Sequence, residues 1–302
     1  MTKHYTNPIT KIERKDVETL IQLAIQEDAP DGDVTSETIF SKDEKAKAIL
    51  VAKTDGIFCG KQISEILIEI FNEYAGYSLK IIQSINDGTL FNTKDILMEL
   101  EGELPGLLRI ERILLNFVQY LSGISTLTYQ TVLKAKKEAN SEIYILDTRK
   151  TIPGYRKLAK YAVFCGGGSN HRIHLSEMAM IKDNHIAAAR SITQAVNKIR
   201  GKYPNIPIEI EIDHFSQLEE ALLNKPQVIL LDNMNVNEIK QAIEIIYQIC
   251  QKNSLPVPFI EISGGWKPDD LHLLKDIKNI GISMGFLTHS ARFIDISMEI
   301  KN

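Results

Sequence analysis

The sequence predicts an α/β fold whose larger part is an incomplete parallel barrel of about six strands. From residue 144 onward, short apolar runs alternate with helical patterns, which is typical of βαβ units around a parallel sheet. This stretch of about 145 residues is too short for a complete eight-unit barrel, which needs at least about 200. No GxGxxG motif follows the first strand, so a doubly wound dinucleotide-binding sheet is not favoured.

Six predicted strands each contain a polar residue or are followed by one. They are Tyr144–Leu146, Met178–Ile181, Ile208–Ile212, Val228–Leu231, Phe259–Ile262 and Ile280–Met284. The predicted helices between them include Gln217–Leu223, Ile239–Cys250 and Asp269–Ile277. Barrels of this kind carry their chemistry at the C-terminal ends of the strands, so these polar residues are the first candidates for a site.

The part before residue 104 mixes helices and strands without a strict order. Apolar residues recur at helical spacing in 17–24 and 63–71, and β-rich runs lie at Ala48–Ala52, Leu79–Ile82 and Ile96–Leu100. A long helix is predicted from Leu107 to about Ala139. We expect an interruption near Ser122-Gly123, because glycine weakens a helix.

Composition limits the function classes. The 302 residues include 44% hydrophobic and 25% charged ones, which is ordinary for a globular protein. A net charge of −4 argues against a nucleic-acid-binding surface over the whole molecule. The three cysteines form no CxxC pair, the segment Met1–Asp16 has no apolar core of a signal peptide, and no run approaches about 18 apolar residues. We expect a cytosolic protein without nucleic-acid or membrane partners.

The segment Asp147–His185 is strongly basic. It holds seven basic against three acidic residues, a net +4 inside a chain of −4. Arg149, Lys150 and Lys182 each follow an apolar strand closely, where a surface charge has no structural need. Converging cations at strand ends suit a substrate with several negative charges.

Other residues of this segment have a structural interpretation. Arg156, Lys157 and Lys160 have the spacing of a solvated helix face. The run 166–168 is Gly-Gly-Gly, which permits a ligand to approach the backbone closely or simply forms a flexible loop.

The histidines of the segment raise a zinc site as an alternative. His171 and His174 have HxxH spacing, and His185 lies beyond them. Apart from Cys165, no thiolate or strand-end carboxylate at metal-site spacing completes a zinc set, and the neighbouring cations would repel a metal ion. The zinc interpretation is therefore not favoured.

Two acidic residues lie in the predicted barrel strands. Glu211 and Asp232 belong to successive strands, and Glu211 shares one strand face with Glu209 and Asp213. A face with three carboxylates is not ordinary apolar core, so it lines a polar interior or a site. Such a pair could bind Mg²⁺ or stabilise developing positive charge.

Glycine-bearing loops follow the last two strands. Ser263-Gly264-Gly265 ends one, and Gly285 opens a run through His289 after the other. Loops of this kind after the final barrel strands often hold phosphate.

These motifs together resemble the quinolinate phosphoribosyltransferase family along nearly the full chain. The matching segments, in order, are Glu27–Ser36, Glu111–Ile124, Asp147–Arg172, Ile181–Ile186, Leu230–Met234, Glu261–Gly265 and Gly285–Ser290. Residues Ile113, Phe164, His174, Met284 and Phe286 depart from the family's usual pattern, but none of them is a proposed catalytic group.

The resemblance implies a two-domain fold and a homodimer. Residues 1–125 would form an N-terminal α/β sandwich, which 291–302 would rejoin, and 126–290 would form the barrel. The N-terminal domain of one subunit would cap the partner's barrel. Arg112 would then be donated across the interface to the substrate.

The resemblance also implies an activity, the transfer of a phosphoribosyl group to quinolinate with decarboxylation, and roles for the residues. The implied quinolinate pocket consists of Arg112, Arg149, His171, Arg172 and Lys182. The implied catalytic groups are Lys150 at the diphosphate, Lys182, and Glu211 and Asp232 beside the ribose and Mg²⁺. The implied phosphate contacts are Ser263, Gly264, Gly265, Gly285 and His289.

Two rival functions stay open at this point. One is the family's paralogue linked to molybdate uptake, whose substrate differs. The other is a protein that binds a phosphate-bearing ligand without catalysis.

Overall fold

Residues 7–139 and 142–301 are described by a computed structural model, and their contacts divide the chain into two units. We call Ile9–Tyr129, Thr151–Gly167 and Phe286–Asn302 the sheet unit, and Gln130–Lys150 with Gly168–Gly285 the barrel unit. The boundary predicted at residue 125 stays a prediction, since these units also assign residues 151–167 to the sheet unit. The first six residues of the segment expected to lack a signal peptide lie outside the described part.

Strands and helices alternate along most of the chain. The strands are β1 (Lys45–Ala52), β2 (Gly56–Ile57), β3 (Lys80–Ser84), β4 (Leu90–Phe91), β5 (Ile96–Glu103), β6 (Ile143–Leu146), β7 (Ala179–Ile181), β8 (Ile208–Ile212), β9 (Val228–Asp232), β10 (Phe259–Ser263), β11 (Ile280–Ser283) and β12 (Ile296–Lys301). The α-helices are α1 (Arg14–Asp28), α2 (Ser36–Ile39), α3 (Lys61–Ala75), α4 (Leu104–Lys134), α5 (Arg156–Cys165), α6 (Asp183–Ala189), α7 (Ile192–Lys202), α8 (Leu218–Leu223), α9 (Val236–Lys252) and α10 (Phe286–His289). A short π-helix at Ala135–Ala139 continues α4, and 3₁₀ helices occupy Phe215–Gln217 and Pro268–Leu274.

The sheet unit contains a four-stranded antiparallel sheet in the order β12-β1-β5-β3. Residues Ala48–Ala52 of β1 are all buried, because this strand is central and paired on both edges. The C-terminal strand β12 pairs with β1 through registers such as Ala48 opposite Ile300. The strand β12 therefore belongs to the same sheet as β1, the first strand of the chain.

The long helix α4 is continuous from Leu104 to Lys134, so the predicted interruption at Ser122-Gly123 is wrong. A Cβ on Gly123 would lie 1.9 Å from the carbonyl oxygen of Arg292. The Ser122 hydroxyl accepts a hydrogen bond from the Cys59 N–H at 3.1 Å. Here the small residues permit close packing of neighbouring backbone, and that packing holds the helix together.

Helix α5 corrects a second prediction. Lys160 was expected on a solvated helix face, yet its side chain is fully buried. The six successive residues Leu158–Val163 are all buried, so this part of α5 is covered on every side. Of the three basic residues of α5, Arg156 and Lys157, one turn earlier, are half-buried, as a partly solvent-exposed face requires.

The barrel unit contains six parallel strands in the order β6-β11-β10-β9-β8-β7. This confirms the predicted α/β class and the strand number, and all six strands begin at the predicted residue or within one residue of it. Strands β6 and β7 are the two edges. Ser169 pairs with Leu146 in parallel beside β6, so residues 169–172 run along this open edge.

The helices around this sheet follow the apolar pattern of the sequence. Helix α9 buries Ile239, Ala242, Ile246 and Cys250, and the Asn235 side chain caps its first turn. The predicted helix 269–277 is a 3₁₀ turn at Pro268–Leu274 instead. Among residues 7–139 and 142–301, no helix has the length and apolarity that crossing a membrane requires.

Candidate active site

Strand β8 carries the acidic face that the sequence predicted. Ile208, Ile210 and Ile212 alternate with Glu209 and Glu211, and all five residues are buried. Ladder pairing places Met180 of β7 beside Glu209 and Leu230 of β9 beside Glu211. Side chains alternate between the two faces along a strand. Glu209 and Glu211 are two positions apart, so both lie on one face of the sheet.

Lys182 contacts Glu211 directly. Its Nζ forms a short charge-assisted hydrogen bond with Glu211 Oε2. Burial raises the pKa of the Glu211 carboxyl, the nearby charges of Asp232 and Asp213 add to the rise, and Lys182 opposes it. The strand-end lysine therefore stabilises a carboxylate that is costly to bury alone.

Glu211, Asp213 and Asp232 form an acidic cluster, with carboxylate oxygens within 4.8 Å of one another. Asp213 is exposed and Asp232 is half-buried, so the cluster opens to solvent. Oxygen donors of this charge fit a hard divalent cation such as Mg²⁺. The three residues are thus suited to the predicted metal, with Asp213 added to the predicted pair.

Arg149 and Arg172 form the cationic wall of a cavity of about 640 Å³, which Lys182 also lines. Arg172 donates to the Met178 carbonyl oxygen at 2.6 Å. Burial lowers the pKa of Arg172, and the charge of Arg149 lowers it further. An anion bound between the two guanidinium groups would therefore stabilise the charged form of Arg172.

His171 is buried behind this wall. Its backbone N–H donates to Asp147 Oδ1 at 2.8 Å, and its Nδ1 accepts from the Arg172 N–H at 2.8 Å. Its Nε2 lies 3.2 Å from Glu209 Oε2 and 3.5 Å from Glu261 Oε1. The ring therefore ties the backbone of Arg172 to two buried carboxylates on β8 and β10.

Glu261 and Asp147 were not predicted as partners of His171. A buried glutamate in an otherwise apolar strand was a usable signal for both Glu209 and Glu261. Which groups these carboxylates meet depends on the curvature of the sheet, because His171 comes from a loop and its partners from β8 and β10, the two strands that flank β9. The sequence does not specify that curvature.

The zinc alternative is not supported in the part of the chain that the structure describes. His174 is exposed with its Nδ1 2.8 Å from Ser176 Oγ, and the exposed His185 accepts from the Lys182 N–H. Two groups of possible metal ligands occur in residues 7–139 and 142–301, and neither contains His174 or His185. His171 belongs to one of them, together with Glu209 and Glu261.

The glycine loops follow β10 and β11 as predicted. Gly264 and Gly265 have φ of +112° and +73°, conformations that favour glycine. A Cβ on Gly265 would meet nothing within 4 Å, so the loop backbone is accessible. Ser263 is half-buried next to them. This geometry suits a phosphate group.

Four further residues were predicted to belong to the site: Lys150, Gly285, Arg112 and His289. Lys150 is exposed, and its backbone N–H donates to Thr148 Oγ1. Gly285 belongs to the barrel unit, whereas Arg112 on α4 and His289 on α10 are exposed residues of the sheet unit. Their proposed roles stay predictions.

Comparison with known proteins identifies the family. Residues 33–122 match the N-terminal domain of quinolinate phosphoribosyl transferase, and residues 124–299 match its C-terminal domain. The chain belongs to the quinolinate phosphoribosyltransferase family. The predicted resemblance is therefore confirmed. The predicted fold class is confirmed as well, since the chain contains a small antiparallel sheet domain and a six-stranded parallel sheet.

Individual relatives agree with this assignment. A probable carboxylating nicotinate-nucleotide pyrophosphorylase of Bacillus subtilis is 39% identical over 91% of this chain and 90% of its own. The carboxylating nicotinate-nucleotide pyrophosphorylase of Mycobacterium leprae is 32% identical over 93% and 95%. The solved structure of the nicotinate-nucleotide pyrophosphorylase from Francisella tularensis superimposes with a TM-score of 0.88 at 30% identity, covering 98% of this chain and all of that one.

Proposed function

We propose that this chain transfers the phosphoribosyl group of phosphoribosyl diphosphate to quinolinate, with release of diphosphate and CO₂ to give nicotinate mononucleotide. The observation that carries the proposal is the cavity where Arg149, Arg172 and Lys182 converge beside the acidic cluster. Cations suit the two adjacent carboxylates of quinolinate, and the acidic side suits a ribose that becomes positively charged. The relatives' names agree with this reaction and do not favour the molybdate-linked alternative.

Different residues contribute to different steps of the reaction. Departure of diphosphate leaves positive charge on the ribose, which Glu211 and Asp232 stabilise. The arginine pocket holds quinolinate so that its ring nitrogen attacks the anomeric carbon. The ring nitrogen then carries positive charge, and the adjacent carboxylate leaves as CO₂. The electron pair of the broken bond stays on the ring carbon, which then takes up a proton from water. No protein nucleophile takes part.

The other predicted residues support these steps. Lys150 reaches the diphosphate, and the loops with Ser263, Gly264, Gly265 and Gly285 hold phosphate. His289 stays a predicted phosphate contact. His171 supports Arg172 from behind, and contact of its ring with quinolinate stays a prediction. Glu211 and Asp232 would hold Mg²⁺, which supplies charge neutralisation to the diphosphate when bound. The cytosolic location also stays a prediction, consistent with three free cysteines.

Substrate discrimination tests the proposed function. We expect the purified protein, supplied with phosphoribosyl diphosphate and Mg²⁺, to form nicotinate mononucleotide from quinolinate. Nicotinate lacks one of the two carboxylates and is expected to react at least tenfold more slowly, because a buried cation is then left without its partner. Comparable turnover of both acids contradicts the assignment. Binding of quinolinate without any turnover supports the non-catalytic alternative.

The proposed dimer shares its sites between subunits, with Arg112 acting on the partner's quinolinate. Arg112 is exposed on α4, as a residue donated to another subunit must be. Arg112→Ala and Lys182→Ala homodimers are each expected to be poorly active. Mixing them gives hybrid dimers with one intact site, and roughly a quarter of wild-type activity should return if the subunits exchange at random. If hybrids form, as judged by differently tagged subunits, and no activity returns, Arg112 does not act across the interface.

A further inference from the structure

Asn233 follows Asp232 at the end of β9 in an unusual backbone conformation. Its φ is +54°, in the left-handed region that non-glycine residues seldom occupy. Strained residues of this kind persist where the surrounding structure holds them, and they concentrate at functional sites. Asn233 lies next to the acidic cluster, so its contacts bear on the orientation of Asp232.

The side chain of Asn233 turns back onto Asp232. Its Nδ2 donates to Asp232 Oδ2 at 2.7 Å. A carboxylate oxygen that accepts such a bond is fixed in orientation, and the second oxygen keeps its lone pairs for a cation or a hydroxyl group. Asp232 is the only member of the acidic cluster for which the described residues give such a neighbouring amide donor.

The backbone of Asn233 is held by the neighbouring strand end. Its N–H donates to the Ser263 carbonyl oxygen at 3.1 Å. A Cβ on Gly264 would lie 2.6 Å from Asn233 Oδ1 and 2.8 Å from its Cα and N. Any side chain at position 264 would therefore displace Asn233, so the loop proposed to bind phosphate and the residue beside Asp232 are packed against each other.

We infer that Asn233 is a positioning residue, whose strained backbone and side-chain amide together orient the Asp232 carboxylate toward Glu211 and Asp213 for cation and ribose binding. The inference rests on the proposed function for its place in the reaction. The orientation of Asp232 is a property of the folded protein, so it is also measurable without turnover.

Asn233→Gly separates this role from a structural one. Glycine adopts the left-handed conformation without strain, so the variant is expected to melt at the wild-type temperature or slightly above it. It loses the amide, so the Kd for Mn²⁺, measured by electron paramagnetic resonance on the protein alone, should rise three- to tenfold. The KM for phosphoribosyl diphosphate should rise by a similar factor, with little change in the KM for quinolinate.

A second variant makes the test specific. Asn279 is an exposed residue with φ of +57° before β11, so Asn279→Gly relieves the same kind of strain away from the cluster and should leave the Mn²⁺ Kd and both KM values unchanged.

The outcomes are distinguishable. An unchanged Mn²⁺ Kd and an unchanged KM for phosphoribosyl diphosphate in Asn233→Gly overturn the inference, and so does an equal effect of Asn279→Gly. A wild-type protein that is inactive with quinolinate overturns the proposed function. If the Mn²⁺ difference between the two glycine variants is then still present, the positioning of Asp232 stands.

Discussion

Lys182→Ala is expected to lower kcat/KM for quinolinate ten- to hundredfold, with a smaller loss of melting temperature because Glu211 is then left buried without its cation. Lys182 lines the cavity with Arg149 and Arg172 and contacts Glu211. Losing a charge-assisted contact to the substrate costs about 1.5–3 kcal/mol, which corresponds to this loss of rate. The side chain is 43% exposed, so its removal leaves little buried space unfilled.

Lys198 provides the matched control. It lies on α7, lines the same cavity and is exposed, but it does not follow a strand of the sheet. Lys198→Ala should change kcat/KM by less than about threefold, because a surface substitution alters free energies by only about 0.5 kcal/mol. Equal, small effects of both substitutions would mean that the strand end is not the site. Melting curves must accompany the kinetics, since a poorly folded Lys182 variant would imitate a catalytic defect.

Lys160→Ala is expected to show the opposite behaviour, a loss of stability. Lys160 is fully buried in α5. Its removal leaves a cavity and an interaction partner without its cation, and such changes cost about 2–5 kcal/mol of the free energy of unfolding. Chemical denaturation should therefore give a lower midpoint. Lys160→Met retains most of the volume, so it should lose less than alanine if the cavity dominates and as much if the charge dominates.

Lys157 is the control for Lys160, one turn earlier on the same helix. Its Nζ pairs with Asp16 Oδ2 at 2.6 Å, and its side chain is about one third exposed. Ion pairs in contact with water contribute about 0–1 kcal/mol, so Lys157→Ala should shift the midpoint only slightly. If Lys160→Ala is as stable as Lys157→Ala, the burial of Lys160 does not contribute to folding.

Features that depend on short-range pattern could be predicted from the sequence. Strand β8 was predicted with both ends correct, because alternating isoleucine and glutamate allow one interpretation only. Lys182 at the end of β7 and the acidic face of β8 followed from the same reasoning. The polar ends of parallel strands meet at one edge, and that is a rule of the fold.

Features that depend on what packs against a residue could not be predicted. Gly123 suggested a break in α4, and the approach of the Arg292 carbonyl oxygen is absent from any local pattern. The spacing of Lys160 suggested a solvent-exposed helix face. The residue is buried instead, because residues distant in sequence pack over it. The pairing of His171 with Glu209 and Glu261 requires a curved sheet that brings β8 and β10 to one loop.

The sequence by itself determined the fold class, the strand number and the family, because hydrophobic periodicity and motif order are local properties. Only the tertiary structure decided which charges are buried and which carboxylate orients which partner. The reason is physical. Burial and hydrogen bonding arise between residues 20 to 100 positions apart, as Asn170 to Asp147 and Gln62 to Tyr161 illustrate, and only the folded chain brings such residues into contact.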